Sequence, residues 1–465
     1  MSKTINVLFF LFLLFINILS EDEKILFAFQ MNRHGARAPY YGLDNGKDVF
    51  HEPWLKPKEL SSIGKRQLYL LGTKARKRYI EKYKLLKEQY NPQEIYIKST
   101  ESNRTIESTY SFIQGLYPNG TGQTISDKII YNTNITYPPN INSKNDFEYI
   151  INKYNLNENY SALPYNMGIM PIHIFYEPAH DFKLYDSDIC KGLVEKYEKQ
   201  NTRKEIRDFV DELMKEKKDF FMNLEKDNKN KSIDEIDENF LYDYWNLYRY
   251  TDSIVCDDID RRSFYNLKEK YPEQSDYIEE LKKISREFLF DDYVINNNST
   301  NMSVVDNSYT MHSVLNWMQK AIDNYNKKTN DRYIKYVVYS THDSSIGTLE
   351  GFMYYAFNTT IEFADMADSR FIELYVDSNN QLNVRYLRGD SSVKFDVTFE
   401  EFKKVINEKT WSDQKVAEFC QFDKKKNEGP STKKTLKYVS FGIMIGLGTL
   451  NLILLISLIL CSIKK

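Results

Sequence analysis

Short apolar runs alternate with longer helical patterns along much of the chain. Lys24–Met31, Ile95–Ser99 and Tyr333–Tyr339 are rich in strand-forming residues, and polar residues follow each of them. Apolar residues at helical spacing indicate helices over Leu60–Tyr83 and from about Ser102 to Leu116. Strands that alternate with helices in this way predict an α/β fold with a mainly parallel central sheet flanked by helices.

The C-terminal part of this pattern adds one helix and one hairpin. A helix is expected over roughly His312–Asn326, after a polar loop at Asn296–Ser308. Two further strand-like runs, Phe371–Val376 and Leu382–Leu387, flank Asn379-Asn380, and this arrangement predicts a β-hairpin.

Residues 190–292 differ in character from the rest of the chain. Lys and Glu dominate there, Gly and Pro are scarce, and aromatic residues recur, which is more typical of packed helices than of a disordered charged tract. We therefore predict an α/β core over residues 21–165 and 301–425. A mostly helical subdomain inserted over residues 166–300 would interrupt it.

Both ends of the chain are apolar. Lys3, the apolar run Ile5–Leu19 and the small residue Ser20 predict a signal peptide over residues 1–20. Residues 439–463 contain no charge and are long enough to form a transmembrane helix, although a lipid-anchor signal is an alternative. Together the two segments predict a single-pass type I membrane protein of the secretory pathway, with its body lumenal or extracellular.

Composition limits the function classes. The 465 residues are 42% hydrophobic and 28% charged with a net charge of −3, so nothing indicates a nucleic-acid-binding surface. N-x-Ser/Thr sequons recur, which a lumenal body would expose to glycosylation. Of the four cysteines, Cys461 lies in the apolar tail. An oxidising lumen favours one disulfide among Cys190, Cys256 and Cys420, without choosing the pair.

Reactive residues follow three of the predicted strands. They are Arg33, His34 and Arg37 after the first, Arg104 after the second, and His342 and Asp343 after the third. Ligands of α/β sheets bind beyond the carboxyl ends of the strands, so these residues could converge on one pocket. Three guanidinium groups suit a phosphate, a neutral imidazole can act as a nucleophile, and a carboxyl can act as a general acid. No metal-ligand spacing is present, and the pattern requires no cofactor.

The same residues resemble a known family. Residues 33–39, RHGARAP, match the RHGxRxP signature of the histidine acid phosphatases, and His342-Asp343 matches their HD motif. The resemblance is closest to the lysosomal and prostatic acid phosphatase branch and covers roughly residues 24–390. It includes Ser99-Thr100 followed by Arg104-Thr105, then the GLYP sequence at 115–118 and the ELY sequence at 373–375.

The resemblance implies a role for each motif residue. Arg33, Arg37, Arg104 and His342 would bind the phosphoryl group, His34 would attack phosphorus, and Asp343 would protonate the leaving alcohol. It also implies a metal-free, cofactor-free acid phosphatase acting on small phosphomonoesters or phosphorylated peptides, and it allows a homodimer. A disulfide between Cys190 and Cys256, with Cys420 free or in an intermolecular bond, is expected on the same basis.

Departures from the family pattern and alternative functions accompany this hypothesis. Lys98 precedes Ser99 where the family often has Arg, and the Ala-Asp-Met-Ala-Asp-Ser stretch at 364–369 replaces a Pro-Tyr-Ala-Ser segment. One alternative is a phytase-like inositol polyphosphate phosphatase on the same scaffold. Others are a non-catalytic membrane glycoprotein, which the retained pocket residues disfavour, and a cytosolic phosphomutase, which the apolar ends disfavour.

Overall fold

The computed structural model of the chain describes most of the predicted α/β core. The described residues are 23–39, 55–122, 172–174, 190–192, 212, 215–223, 226, 252–253, 255–256, 299–327, 333–362, 364–389 and 392–421. The predicted signal peptide (1–20), the predicted membrane span (439–463) and most of the predicted insertion lie outside them. Within the described part, no helix has the length and apolar character needed to cross a bilayer. The division into core and insertion stays a prediction.

A single mixed sheet organises the described residues. Its strands are β1 (Lys24–Arg33), β2 (Ile95–Ser99), β3 (His173–Ile174), β4 (Tyr336–Thr341), β5 (Ser369–Val376), β6 (Leu382–Arg388) and β7 (Val393–Thr398). They lie in the order β3-β2-β4-β1-β5-β6-β7. The first four in this order are parallel to one another, whereas β5, β6 and β7 pair antiparallel.

The sheet is therefore less parallel than the sequence predicted. The predicted hairpin is confirmed: β5 and β6 pair antiparallel, and Asn380 in the turn between them has a φ of 61°. A short turn can only join antiparallel neighbours, so the hairpin turns this half of the sheet away from parallel pairing. The parallel half alone keeps the crossover connections that the alternating pattern predicted.

Helices flank the sheet, and six of those in the described part of the chain have defined bounds. They are α1 (Ser62–Arg76, continued by a π-helical turn over Lys77–Lys82), α2 (Asn103–Leu116), α3 (Ser299–Lys327), α4 (Asp343–Phe357), α5 (Phe399–Lys409) and α6 (Asp413–Cys420). The first is capped by Ser61, whose hydroxyl accepts a hydrogen bond from the Gly64 N–H (3.2 Å). The predicted helices at 60–83 and 102–116 are thus confirmed within a few residues.

The helix α3 is longer than predicted, because the expected loop at 296–308 is helical from Ser299 onward. Asn, Ser and Thr in this stretch favour caps and turns, which made it resemble a loop. Val304 and Val305 are nevertheless buried, on two different apolar clusters. Burial of these side chains stabilises the helix and overrides the weak local propensity.

Side chains of the central strands alternate between two apolar clusters, one on each face of the sheet. Phe27, Phe29 and Met31 of β1 pack with α3, α4 and α5, whereas Ile25 and Ala28 pack with α1 and α2. The apolar run at the start of the chain's core is continuous because this strand is buried on both faces. The carboxyl end of this buried strand is consequently held rigidly, and the motif residues follow it.

The disulfide prediction was wrong. Cys190 is bonded to Cys420 at the end of α6, across 230 residues of sequence, and Cys256 is a buried free thiol. Cys190 and Cys420 share an apolar cluster with Met302, which belongs to α3. Cys256 lies instead beside Arg37, with its sulfur 3.5 Å from a guanidinium nitrogen. The two thiols of the expected pair therefore belong to different parts of the fold.

Candidate active site

The sheet order brings the three predicted strand ends together. β2, β4 and β1 are adjacent and parallel, with Ser99 opposite Ser340 and Arg33 opposite Thr341. The antiparallel β5 begins at the same edge, because its Ser369 lies opposite Asn32. The loops that follow β1, β2 and β4 and the loop that precedes β5 therefore lie together at one edge of the sheet. All six predicted site residues lie there.

Backbone contacts hold the first motif segment in place. The His34 N–H donates to the Thr341 carbonyl (3.0 Å), and the His34 carbonyl accepts from the Ala367 N–H (2.9 Å). Gly35 packs directly on the start of α1: a Cβ at this position would lie 2.4 Å from the Gly64 carbonyl oxygen. The glycine of the motif is thus required by close backbone approach, and it fixes the neighbouring histidine.

His34 is held as a neutral imidazole with a defined tautomer. Its Nδ1 lies 2.8 Å from the carbonyl oxygen of Gly35. A carbonyl only accepts, so Nδ1 carries the hydrogen and Nε2 carries the lone pair. Burial lowers the pKa of His34 well below its usual value, and the positive charges of Arg104, Arg37 and Arg33 lower it further. The side chain therefore retains a basic, unprotonated nitrogen even in acid.

Each of the three arginines makes a specific polar contact. An Arg33 terminal nitrogen lies 2.6 Å from an oxygen of Asp343, and the other donates to the Ala364 carbonyl (2.7 Å). Arg104 donates to Nδ1 of His342 (3.1 Å). Guanidinium groups so concentrated suit an anion with several oxygens, such as a phosphoryl group.

Arg37 is paired with a carboxylate that the sequence did not indicate. Its two terminal nitrogens lie 2.7 Å and 3.2 Å from the carboxylate oxygens of Asp252, and both side chains are buried. Asp252 belongs to the part of the chain predicted as an insertion. No local pattern distinguishes it from the many other acidic residues there, so only the fold reveals that this segment reaches the site.

The surroundings of Asp343 favour its ionised form. Burial raises the pKa of Asp343, but the positive charges of Arg33 and Arg37 outweigh that effect and hold the pKa below its usual range. The N–H of Ser344 also donates to it (2.9 Å). Its side chain is 28% exposed and therefore reaches solvent. It can exchange protons with water or a substrate.

The segment before β5 forms another wall of the site. The carbonyl of Asp368 accepts from the Arg33 N–H (2.9 Å), and its carboxylate pairs with Arg370 (2.7 Å). Arg370 in turn pairs with the fully buried Glu350 of α4. The stretch at 364–369, which departs from the family pattern, is thus anchored by buried charges and backs the first motif arginine.

Residues that commonly ligate metals do not gather elsewhere in the described structure. Among the described residues, no three or more His, Cys, Asp or Glu side chains lie close enough together to hold a metal ion. The expectation of a metal-free site therefore stays a prediction about the reaction.

Comparison with known proteins defines the class of this fold and site. A model of the histidine phosphatase superfamily (branch 2) matches residues 24–389, so the chain belongs to that family. This confirms the resemblance drawn from the motifs. The chain is 35% identical over 124 residues to lysosomal acid phosphatase of Xenopus laevis, covering 26% of each chain.

One more relative and one solved structure are also similar to this chain. Lysophosphatidic acid phosphatase type 6 of Mus musculus is 35% identical over 80 residues, which is 17% of this chain and 19% of the relative. The matched segments therefore span about a quarter or less of these relatives' length. A D. castellii phytase structure aligns with 87% of this chain and 83% of its own, at 12% identity and a TM-score of 0.49.

Proposed function

We propose that this chain is an acid phosphatase that hydrolyses phosphate monoesters through a covalent phosphohistidine at His34. The observation that carries the proposal is the state of His34. Its Nδ1–H is bound to the Gly35 carbonyl, its lone pair is on Nε2, and three arginines surround it. A neutral imidazole beside concentrated positive charge is a nucleophile placed next to a site for its anionic target.

The arrangement supports a two-step reaction. Nε2 of His34 forms a bond to phosphorus while the bond from phosphorus to the ester oxygen breaks, and Asp343 gives its proton to the departing oxygen. Water then attacks phosphorus and loses its proton to Asp343, and the bond from phosphorus to Nε2 breaks. The Gly35 carbonyl holds Nδ1–H throughout, and the arginines balance the phosphoryl charge.

Asp343 must carry a proton in the first step, although its contact with Arg33 favours the ionised form. The phosphoryl group supplies the change, because it competes with this carboxylate for Arg33, which lies 2.6 Å away. Loss of that partner and arrival of a second negative charge both raise the pKa of a carboxyl. Substrate binding would thus protonate Asp343, and mild acid would favour it.

The substrate class and location extend the same proposal. We propose small phosphomonoesters or phosphorylated peptides as substrates, since the described pocket residues recognise only the phosphoryl group. The apolar ends support a secretory-pathway, single-pass type I protein with the catalytic body outside the cytosol, in a lysosome-like vesicle or at the cell surface. A phytase-like substrate range is the enzyme alternative.

Two variants separate the proposed roles. His34→Ala should abolish hydrolysis, a loss larger than the about 10²–10⁴-fold that removal of a general acid causes. Asp343→Asn should lose about that amount on alkyl phosphates, which need a protonated leaving group, and much less on aryl phosphates. Rapid quench of the Asp343→Asn variant with a labelled aryl phosphate should trap phosphohistidine, which is labile in acid and stable in alkali.

Matched controls come from residues away from the site. His173→Ala removes an exposed histidine of β3, and Asp413→Asn removes an exposed acid at the start of α6. Both should keep wild-type rates. Label on a residue other than His34, or equal losses on aryl and alkyl esters in Asp343→Asn, would contradict the roles. Faster turnover of phytate than of simple esters would favour the phytase-like alternative.

A further inference from the structure

Both ring nitrogens of His342 have hydrogen-bond partners, and the partners differ in kind. Nδ1 lies 3.1 Å from a terminal nitrogen of Arg104, and Nε2 lies 3.0 Å from the hydroxyl oxygen of Thr100. The ring is 6% exposed. A guanidinium group only donates, so Nδ1 must carry the lone pair. The hydrogen of the neutral ring is then on Nε2, and it is donated to Thr100.

The hydroxyl of Thr100 is in turn hydrogen-bonded to the hydroxyl of a second threonine. Its oxygen lies 2.8 Å from the hydroxyl oxygen of Thr105. The Thr105 hydroxyl has carbonyl acceptors at Ser102 (2.8 Å) and at Thr100 itself (3.0 Å). With the Thr105 hydroxyl donating to one of these carbonyls, its oxygen accepts from Thr100, and the Thr100 oxygen accepts from Nε2–H of His342. A single direction of hydrogen-bond donation, from His342 through Thr100 to Thr105, therefore satisfies all three side chains.

The hydrogen-bonded side chains of His342, Thr100 and Thr105 form a relay that is buried and bonded to the edge of the sheet. Thr100 and Thr105 are both fully buried. The Thr100 N–H donates to the Ser340 carbonyl (3.2 Å), one strand away. Reversing the tautomer of His342 would set its Nδ1–H against the guanidinium N–H of Arg104, and the Thr100 hydroxyl would then have to donate to Nε2 and no longer to Thr105. Buried polar groups that lose their partner are costly, so the surroundings select one tautomer.

We propose that Thr100 is a positioning residue that fixes His342 as the Nε2–H tautomer, so that Nδ1 is the ring nitrogen that binds the phosphoryl group. This rests on the proposed function. When a monoanionic phosphomonoester binds the Arg104 guanidinium in place of His342, Nδ1 of His342 loses its hydrogen-bond donor. The ester's remaining proton moves to Nδ1, which leaves a dianionic ester and an imidazolium. Nδ1–H then donates to a phosphoryl oxygen, while Nε2–H stays on Thr100.

The charged groups around His342 are consistent with this proton transfer. Arg104 faces it from α2, the neutral His34 ring lies with its centroid 5.6 Å away, and Asp343 follows it on α4. The phosphoryl dianion would add negative charge where Arg104 now contacts the ring. The opposite charge favours the imidazolium, and the threonine relay ensures that the new proton is on the side of the ligand.

The test uses the full chain with ring-¹⁵N-labelled histidine and four variants. The chain has only six histidines, and His342→Gln serves to assign the His342 signals. Thr100→Val removes the hydroxyl at nearly constant shape, and Thr100→Ser restores it. Thr109→Val is the matched control, because it removes a buried hydroxyl that donates only to the Thr105 carbonyl (2.8 Å).

Wild type, Thr100→Ser and Thr109→Val should show the Nε2–H tautomer at His342. Saturating inorganic phosphate at about pH 5 should convert that signal to an imidazolium. Thr100→Val should show mixed tautomers and incomplete conversion, and its kcat/KM should fall about 10–100-fold, whereas Thr100→Ser should stay within about 3-fold.

A Thr100→Val protein that is folded and keeps both the wild-type tautomer and the wild-type kcat/KM would overturn the proposal. So would the Nδ1–H tautomer in wild type. Absence of hydrolysis by wild type would instead overturn the proposed function, and the tautomer measurement would still decide the role of Thr100.

Discussion

Asp306 is a buried carboxyl with no counter-charge among the described residues, and replacing it should stabilise the protein in a pH-dependent way. It lies on α3 and is 3% exposed. Within the described part of the chain, neither carboxylate oxygen has a hydrogen-bond partner. Burial raises the pKa of Asp306 well above its usual value, and the nearby Thr348 hydroxyl opposes this only in part. The folded state therefore favours the neutral acid form of Asp306.

The sign of the pH dependence follows from the raised pKa. In the pH range between the unfolded and the folded pKa, the folded state binds one proton more than the unfolded state. Stability is then greatest in acid and falls as pH rises, by about 1.4 kcal/mol per pH unit at most. Asp306→Asn replaces the neutral acid by a neutral amide of the same shape, so the variant should lose this slope.

Urea unfolding of wild type and Asp306→Asn, followed by tryptophan fluorescence, measures the difference. The stability advantage of the variant should be larger at about pH 6 than at about pH 5, and the increase can reach at most about 1.4 kcal/mol. Asp323→Asn, an exposed position on the same helix, should change stability by less than about 0.5 kcal/mol at either pH. An advantage for Asp306→Asn that does not change with pH would refute the reasoning, because the acid would then be ionised in the folded state.

Two further predictions concern the scaffold of the site. Non-reducing peptide mapping should find Cys190 linked to Cys420 and a free thiol at Cys256, and Cys190→Ser should lower the free energy of unfolding by about 3–5 kcal/mol because the bond closes a long loop. Gly64→Ala should lower kcat/KM at least about 10-fold, since its Cβ would lie 2.1 Å from the Ala36 carbonyl oxygen and displace the segment that carries the nucleophile. A wild-type rate for this variant would show that the segment tolerates the shift.

The convergence of the motif residues was predictable because parallel strands end at one edge of a sheet. Each of β1, β2 and β4 was visible as an apolar run, and the reactive residues follow each run directly. The structure places these three strands side by side, in the order β2, β4, β1. No knowledge of the strand order was needed, because any arrangement of adjacent parallel strands would have brought the same ends together.

Contacts between distant segments were not predictable in the same way. Asp252 lies 215 residues from Arg37 in the sequence, and its neighbourhood offers many equivalent acids. The disulfide joins residues separated by 230 positions, where spacing carries no information about proximity. The family resemblance led to Cys256 as the partner of Cys190. The packing of α6 against α3 brings Cys420 there instead.

Every motif arginine has a side-chain partner at the site, with which a phosphoryl group would compete. The pairs are Arg33 with Asp343, Arg37 with Asp252, and Arg104 with the lone pair of His342. Buried guanidinium groups left without partners would destabilise the fold by several kcal/mol, so these contacts stabilise the protein between turnovers. They also couple chemistry to binding. Asp343 would be able to accept a proton when Arg33 binds the substrate instead, and it is the proposed general acid. His342 would be able to accept a proton when Arg104 does the same. The ion pair between Arg33 and Asp343 favours the ionised acid, so competition of the substrate for Arg33 would couple protonation of Asp343 to substrate binding.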